Sequence, residues 1–212
     1  MTGQLATPFG LYLVLDPDHA AGDPITIAAA AIANGVICVQ LRWKSARDRQ
    51  IVDLARSIHQ LTEPRCIPLI INDRLDFALA SGAEGVHLGV DDLPLRDARR
   101  IAGDAFIIGY SPETDDEIRT AAEAGASYLG IGPFFRTATK ADAGSALGSV
   151  EFARRRSLTD LPVAAIGGIS ASNAGKAFAA GADGIAVASA ILDSPDPAAA
   201  TRQLRALISG HP

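Results

Sequence analysis

The sequence predicts a single α/β domain over residues 1–212, a (β/α)8 TIM barrel whose site lies at the C-terminal ends of the strands. Three observations carry that expectation. Eight short apolar runs recur at regular intervals, nearly every run is followed by a stretch patterned as a helix, and three of the helical stretches stop on a glycine between small residues.

The runs are LYLVLD from Leu11, VICVQLR from Val36, IPLIIN from Ile67, GVHL from Gly85, FIIGYS from Phe106, YLGIGP from Tyr128, PVAAIGG from Pro162 and GIAVAS from Gly184. Helical patterns cover Pro24 to Asn34, Ala46 to Leu61, Pro94 to Ile101, Glu113 to Ala124, Ser149 to Ser157, Ala171 to Ala180 and Pro197 to Ile208, and they start near Pro, Ser, Thr or Asp. The tripeptides Ser81-Gly82-Ala83, Ala124-Gly125-Ala126 and Ala180-Gly181-Ala182 supply the left-handed residue that ends a helix. Alternating strands and helices imply a parallel sheet. An open doubly wound sheet would carry a glycine-rich loop after its first strand, where this chain has Asp16-Pro17-Asp18-His19. Residues 1–10 read as a short N-terminal extension, with no linker or second domain.

Bulk composition agrees. The chain has 212 residues, enough for one large core, and its 48% hydrophobic fraction comes mainly from Ala, Val, Ile and Leu, with aromatics at 5%. A net charge of −5 without a clustered basic face argues against nucleic-acid binding, which needs many cations on one surface. No apolar run reaches the roughly eighteen residues that span a bilayer, and MTGQLATPFG lacks the pattern of an export signal, so a cytoplasmic location with no membrane partner is expected. Cys38 and Cys66 have neither metal-ligand nor redox spacing and read as buried or semi-buried free thiols. The helix exteriors offer no clear interface stripe, so the sequence does not fix the oligomeric state and a homodimer is left open.

The strand ends carry the chemistry. Period-two alternation after Val36 puts Gln40, Arg42 and Lys44 on one face and Leu41 and Trp43 on the other. With helices covering the barrel exterior, the polar face points to the axis, where the two cations should meet a ligand anion rather than a neighbouring carboxylate. The third and fourth strands end in Asp73 and Asp92, two carboxylates suited to Mg2+ beside a substrate phosphate, although each could instead cap a helix. Gly168 after strand seven and Ser189 after strand eight fit the phosphate loops common in such barrels. Thr137, Thr139 and Lys140, in the loop after strand six, are suitable anion donors. His87 reads as a core histidine, and Asp16 as either a turn carboxylate or a ligand contact.

QLRWK from Gln40, INDR from Ile71, GVHLGVDDLP from Gly85, IIGYS from Ile107, GPFFRTATKADA from Gly132, AIGGI from Ala165 and GADGIAVASAI from Gly181 together resemble the thiamine phosphate synthase family over almost the whole chain. The resemblance implies Mg2+-assisted loss of pyrophosphate from 4-amino-2-methyl-5-(diphosphooxymethyl)pyrimidine and attack by the nitrogen of a thiazole phosphate, giving thiamine phosphate. Carried onto matching positions, Gln40, Arg42, Lys44, Asn72, Ser111 and Lys140 would hold the pyrimidine diphosphate. Of these, Arg42, Lys44, Ser111 and Lys140 are the candidate catalytic residues. Asp73 and Asp92 would hold the metal, and Thr137, Thr139, Gly168, Ala188 and Ser189 the thiazole phosphate. The chemistry needs charge neutralisation and alignment of two substrates but no general base, which matches a sequence without a nucleophile–base pair.

The chain departs from the family pattern at Val90, where Gln is common, at Glu113, where His is common, at Arg136, where Pro is usual, and at Ala138 and Ala188, where larger residues often stand. Arg136 is expected to tighten phosphate binding. Two other readings compete: a thiazole tautomerase of the same barrel family, disfavoured by the retained Asn72, Asp73, Asp92 and Lys140, and a non-catalytic sensor of a phosphorylated ligand.

Overall fold

The computed structural model describes residues 10–137 and 144–208. Eight parallel strands close into a barrel in chain order: β1 (Gly10–Leu15), β2 (Cys38–Leu41), β3 (Leu69–Asn72), β4 (Gly85–Leu88), β5 (Ile107–Tyr110), β6 (Tyr128–Ile131), β7 (Val163–Ile166) and β8 (Gly184–Val187), with β8 pairing back onto β1. All eight predicted runs are strands. The expected N-terminal extension lies almost wholly outside the described residues; Gly10 already belongs to β1.

The helices α1 (Pro24–Ala33), α2 (Asp48–Thr62), α3 (Leu75–Ser81), α4 (Leu95–Ala102), α5 (Asp115–Ala124), α6 (Gly148–Arg156), α7 (Ala174–Ala179), α8 (Ser189–Leu192) and α9 (Pro197–Ile208) follow the strands. Their ends obey the local chemistry. Asp23 caps α1 by accepting from the Thr26 amide at 2.8 Å, with Pro24 in the first turn, and Thr114 and Glu117 form a capping box on α5. Gly82 and Gly125 end α3 and α5 with φ near +82° and +105°. In the sequence α3 shows only through its Gly82 stop. The α7 helix starts at Ala174 rather than Ala171 because Asn173 ties down the preceding turn, accepting from the Ser170 amide and donating to the Gly168 carbonyl.

Alternation along the strands divides the core in two. Leu11, Leu13 and Leu15 face the helices with Val39, Ile71, Val86 and Leu129, whereas Tyr12, Val14, Cys38, Ile70, Ile107, Tyr128, Ala164 and Ala186 fill the barrel interior. Interior glycines make room for the larger side chains: a Cβ on Gly85 would lie 2.6 Å from Ile70 Cδ1. Cys38 is buried, as expected, and its thiol is pushed up by burial. Cys66 is exposed, which corrects the expectation of a buried or semi-buried thiol there. It closes the short 3-10 turn Glu63–Arg65 in a left-handed conformation, on the outside of the barrel.

At the end of the barrel away from the strand C-termini, Arg99 of α4 donates to the carbonyls of Gly103, Asp104, Phe106 and Gly125, beside an open cleft of about 370 Å3. One side chain thus satisfies the ends of two helices and the approach to β5. Arg99→Met keeps the stem and removes the fork; it should lower stability by about 2–4 kcal/mol through orphaned carbonyls. Chemical denaturation would measure the loss.

Candidate active site

The inward faces of β1 and β2 continue beyond the strands into the barrel mouth. Gln40 is buried and donates through Nε2 to Tyr12 Oη at 2.7 Å. Arg42 follows two residues later and donates through Nη1 to Asp16 Oδ2, while Asp16, 1% exposed, also accepts from the Asp18 amide at 3.1 Å. A neighbouring carboxylate therefore does meet Arg42, and the expectation that only a ligand would is corrected: alternation places Tyr12, Val14 and Asp16 on the same inward face as Arg42. The pair orients the guanidinium and leaves its Nη2 without a partner among the described residues. Trp43 turns outward as predicted and, with Ser45, holds the Asp18 carboxylate, stitching the loops after β1 and β2 together.

Lys44, more than half exposed, stands 3.3 Å from Asp73 Oδ2. Neither Asp73 nor Asp92 serves as the helix cap that each could have been. Arg74 precedes α3 and Pro94 precedes α4 without side-chain caps. Asp73 directly follows β3, with its amide on the His87 carbonyl at 2.8 Å, and adopts φ near +63°, a left-handed conformation that aspartate tolerates better than most residues. Asp92 accepts from the Gly89 amide at 2.7 Å. Its carboxyl is held above the ordinary range, first by burial and then by the Asp73 carboxylate within hydrogen-bonding reach, with the Gly89 amide opposing.

Two crowded oxygen donors beside a single lysine suit a hard cation that also takes phosphate oxygens and water. Among the described residues no group of three or more His, Cys, Asp or Glu side chains gathers for a metal, here or elsewhere, so Asp73 and Asp92 offer a pair of protein carboxylates only. Asn72 projects from the end of β3 beside them, half-buried and with no side-chain partner among the described residues.

Ser111 follows β5, and its Oγ lies 2.8 Å from His87 Nε2. His87 Nδ1 lies 3.0 Å from Tyr128 Oη. Sequence reasoning missed this inward histidine as part of the site; its place two residues after Gly85 on an inward face was the available signal.

The loop after β6 is tied to the end of β7 by main-chain bonds, Phe134 N–H to Ile166 O at 2.7 Å and Phe135 N–H to Gly167 O at 3.0 Å. Its returning end is held as well, with Leu147 N–H on Pro133 O and Gly148 N–H on Phe134 O. Gly168, φ near +65°, sits beneath this loop, and a Cβ there would lie 2.5 Å from the Arg136 carbonyl oxygen. Thr137 is thereby brought to the β7 end, half-buried, and Arg136 is exposed. Thr139, Lys140 and Ala138 lie outside the described residues. Ala188 and exposed Ser189 open α8 directly after β8. Val90 is exposed at the mouth, and Glu113 lies exposed before α5. Gly168→Ala must push the loop backbone away, so a phosphate-bearing ligand seated at the end of β7 should bind about tenfold or more weakly. Calorimetric titration of parent and variant would check this loss.

Closed parallel barrel and functional groups gathered at the strand C-termini place the chain among the TIM-barrel enzymes. A family model described as thiamine monophosphate synthase matches residues 11–191. The chain is 46% identical over 200 residues to a thiamine-phosphate synthase from Methanospirillum hungatei, covering 94% of this chain and 97% of that one. It is 47% identical over 197 residues to another from Herpetosiphon aurantiacus, covering 92% and 95%. The solved structure of a thiamine phosphate pyrophosphorylase from Pyrococcus furiosus superposes with a TM-score of 0.87 at 33% identity, over 96% and 97% of the two chains. The chain belongs to the thiamine monophosphate synthase family and is a transferase. No helix among the described residues is long and apolar enough to cross a membrane.

Proposed function

We propose that the chain joins 4-amino-2-methyl-5-(diphosphooxymethyl)pyrimidine to 4-methyl-5-(2-phosphooxyethyl)thiazole, releasing thiamine phosphate and pyrophosphate. The observation that carries the reading is the Asp73–Asp92 carboxylate pair beside Lys44 at the mouth of a family barrel, where Arg42 is oriented by Asp16. Asp73 and Asp92 would hold Mg2+, which when bound supplies positive charge against the diphosphate.

Lys44, the outer nitrogen of Arg42, Ser111 and Lys140 would take the diphosphate oxygens, and Gln40 and Asn72 would orient the pyrimidine. Thr137, Thr139 and Ser189, with the main chain at Gly168 and Ala188, would hold the thiazole phosphate. The C–O bond breaks with its electron pair leaving on pyrophosphate. The thiazole nitrogen then supplies the pair for the new C–N bond. No proton has to move, so the residues need only neutralise the leaving group and align the partners.

The test incubates the chain with both substrates and Mg2+ and quantifies thiamine phosphate, with Asp73→Ala and EDTA as controls. Metal-dependent product, reduced about a hundredfold or more in the variant, is expected. Thiazole phosphate binding without any product would overturn the reading.

A further inference from the structure

A string of hydrogen bonds crosses the barrel interior, and the catalytic steps above use only its two ends, Gln40 and Ser111. It links Gln40 Nε2 to Tyr12 Oη at 2.7 Å, Tyr12 Oη to Tyr128 Oη at 2.8 Å, Tyr128 Oη to His87 Nδ1 at 3.0 Å and His87 Nε2 to Ser111 Oγ at 2.8 Å. The backbone is shaped around it. A Cβ on Gly109 would collide with both the His87 ring and the Tyr128 hydroxyl, and one on Gly130 would lie 3.2 Å from His87 Cε1 and 3.5 Å from Ser111 Oγ. Both tyrosines are buried and their hydroxyls are pushed well above the ordinary range, first by that burial, so each keeps its single proton to donate.

We infer that Tyr12, Tyr128 and His87 act as a one-way hydrogen-bond chain that runs from Gln40 to Ser111 and turns the Ser111 hydroxyl outward as a donor to substrate phosphate. The inference rests on the reading that Ser111 meets the diphosphate.

Counting protons gives the direction. The Gln40 amide nitrogen can only donate, so Tyr12 Oη accepts from it. If Tyr12 donates to Tyr128 and Tyr128 donates to His87 Nδ1, the imidazole carries its proton on Nε2 and donates it to Ser111 Oγ. The Ser111 proton is then left for the ligand. In the opposite direction the Ser111 proton is consumed by Nε2, Nδ1 donates to Tyr128, and Tyr12 is left to donate to the thiol of Cys38 beside it. A thiol is a weak acceptor, whereas a phosphate oxygen on Ser111 adds a charge-assisted bond to the first arrangement alone. Tyr12, Tyr128 and His87 are positioning residues that act through Ser111.

Two measurements test the chain. Nitrogen-15 NMR of the full chain, above the ordinary imidazole titration range and with inorganic pyrophosphate as probe, should show neutral His87 protonated on Nε2. Its signals are assigned by their loss in His87→Gln. Protonation on Nδ1 would overturn the inference. The second measurement is a double-mutant cycle on thiamine phosphate formation, with folding of each variant checked by thermal unfolding. Ser111→Ala and Tyr128→Phe should each lose about tenfold or more, and the double variant should lose no more than Ser111→Ala. Losses that multiply, or Tyr128→Phe at the parent rate, would overturn the chain while leaving the function intact. Ser111→Ala at the parent rate would remove Ser111 from the site and the chain with it. A parent protein that makes no product would sink the functional reading alone, since the NMR result still judges the chain.

Discussion

Replacing Asp92 by Asn is expected to abolish turnover while leaving the metal-free chain at least as stable as the parent. The substitution keeps an oxygen for the Gly89 amide and removes a charge that burial and the neighbouring Asp73 carboxylate both oppose. Because the folded-state value is raised, this group's contribution to stability is present below the ordinary carboxylate range and is lost as pH rises through the raised value. The Asn variant escapes that loss, so its advantage in unfolding temperature should grow with pH and then level off. Turnover should fall by at least about a hundredfold. Added Mg2+ should raise the unfolding temperature of the parent and have little effect on the variant. Thermal scans across pH, with and without the metal, check both statements; a variant that melts well below the metal-free parent would contradict the repulsion argument.

Asp16→Ala should damage both the fold and the reaction. It leaves the Arg42 guanidinium without its buried carboxylate, and removing one partner of such a pair costs about 3–5 kcal/mol. Arg42 keeps 17% side-chain exposure, which points to the lower end. For a chain of this size that is a fall of roughly 6–12 °C in unfolding temperature. With its fork no longer held, Arg42 should bind the diphosphate less well, raising the KM for the pyrimidine substrate while that for the thiazole phosphate stays near the parent. Asp16→Ala combined with Arg42→Met should recover part of the stability and none of the activity. Unfolding of the single variant at the parent temperature would show the pair to be of little structural weight.

The barrel was legible in the sequence because strand runs, helix starts and terminating glycines all agreed, as at Gly82 and Gly125. The face shared by Gln40, Arg42 and Lys44 was legible from period two. The Asp16–Arg42 pair was harder to see: it depends on the lateral register of β1 against β2, and alternation within one strand does not supply register. The same holds for His87, Tyr128 and Tyr12, which lie on three different strands and meet only when the sheet closes. That Asp73 and Asp92 would not cap helices follows from the left-handed turn at Asp73 and the Gly89 contact of Asp92, both of which are tertiary outcomes.

The loop after β6 leaves and returns through main-chain bonds, with Phe134 and Phe135 fixed to β7 and Leu147 and Gly148 fixed to Pro133 and Phe134. Its two ends are therefore stapled side by side whatever side chains lie between them. Such a segment behaves as an exchangeable cassette: doubling its length adds only about 0.6 kcal/mol of closure entropy, and its sequence can drift without loosening the seat. Departures such as Arg136 and Ala138 fall inside that cassette. Given the roles proposed for Thr137, Thr139 and Lys140, changes at the other positions of that stretch would retune phosphate binding at the mouth with the barrel beneath left unaltered.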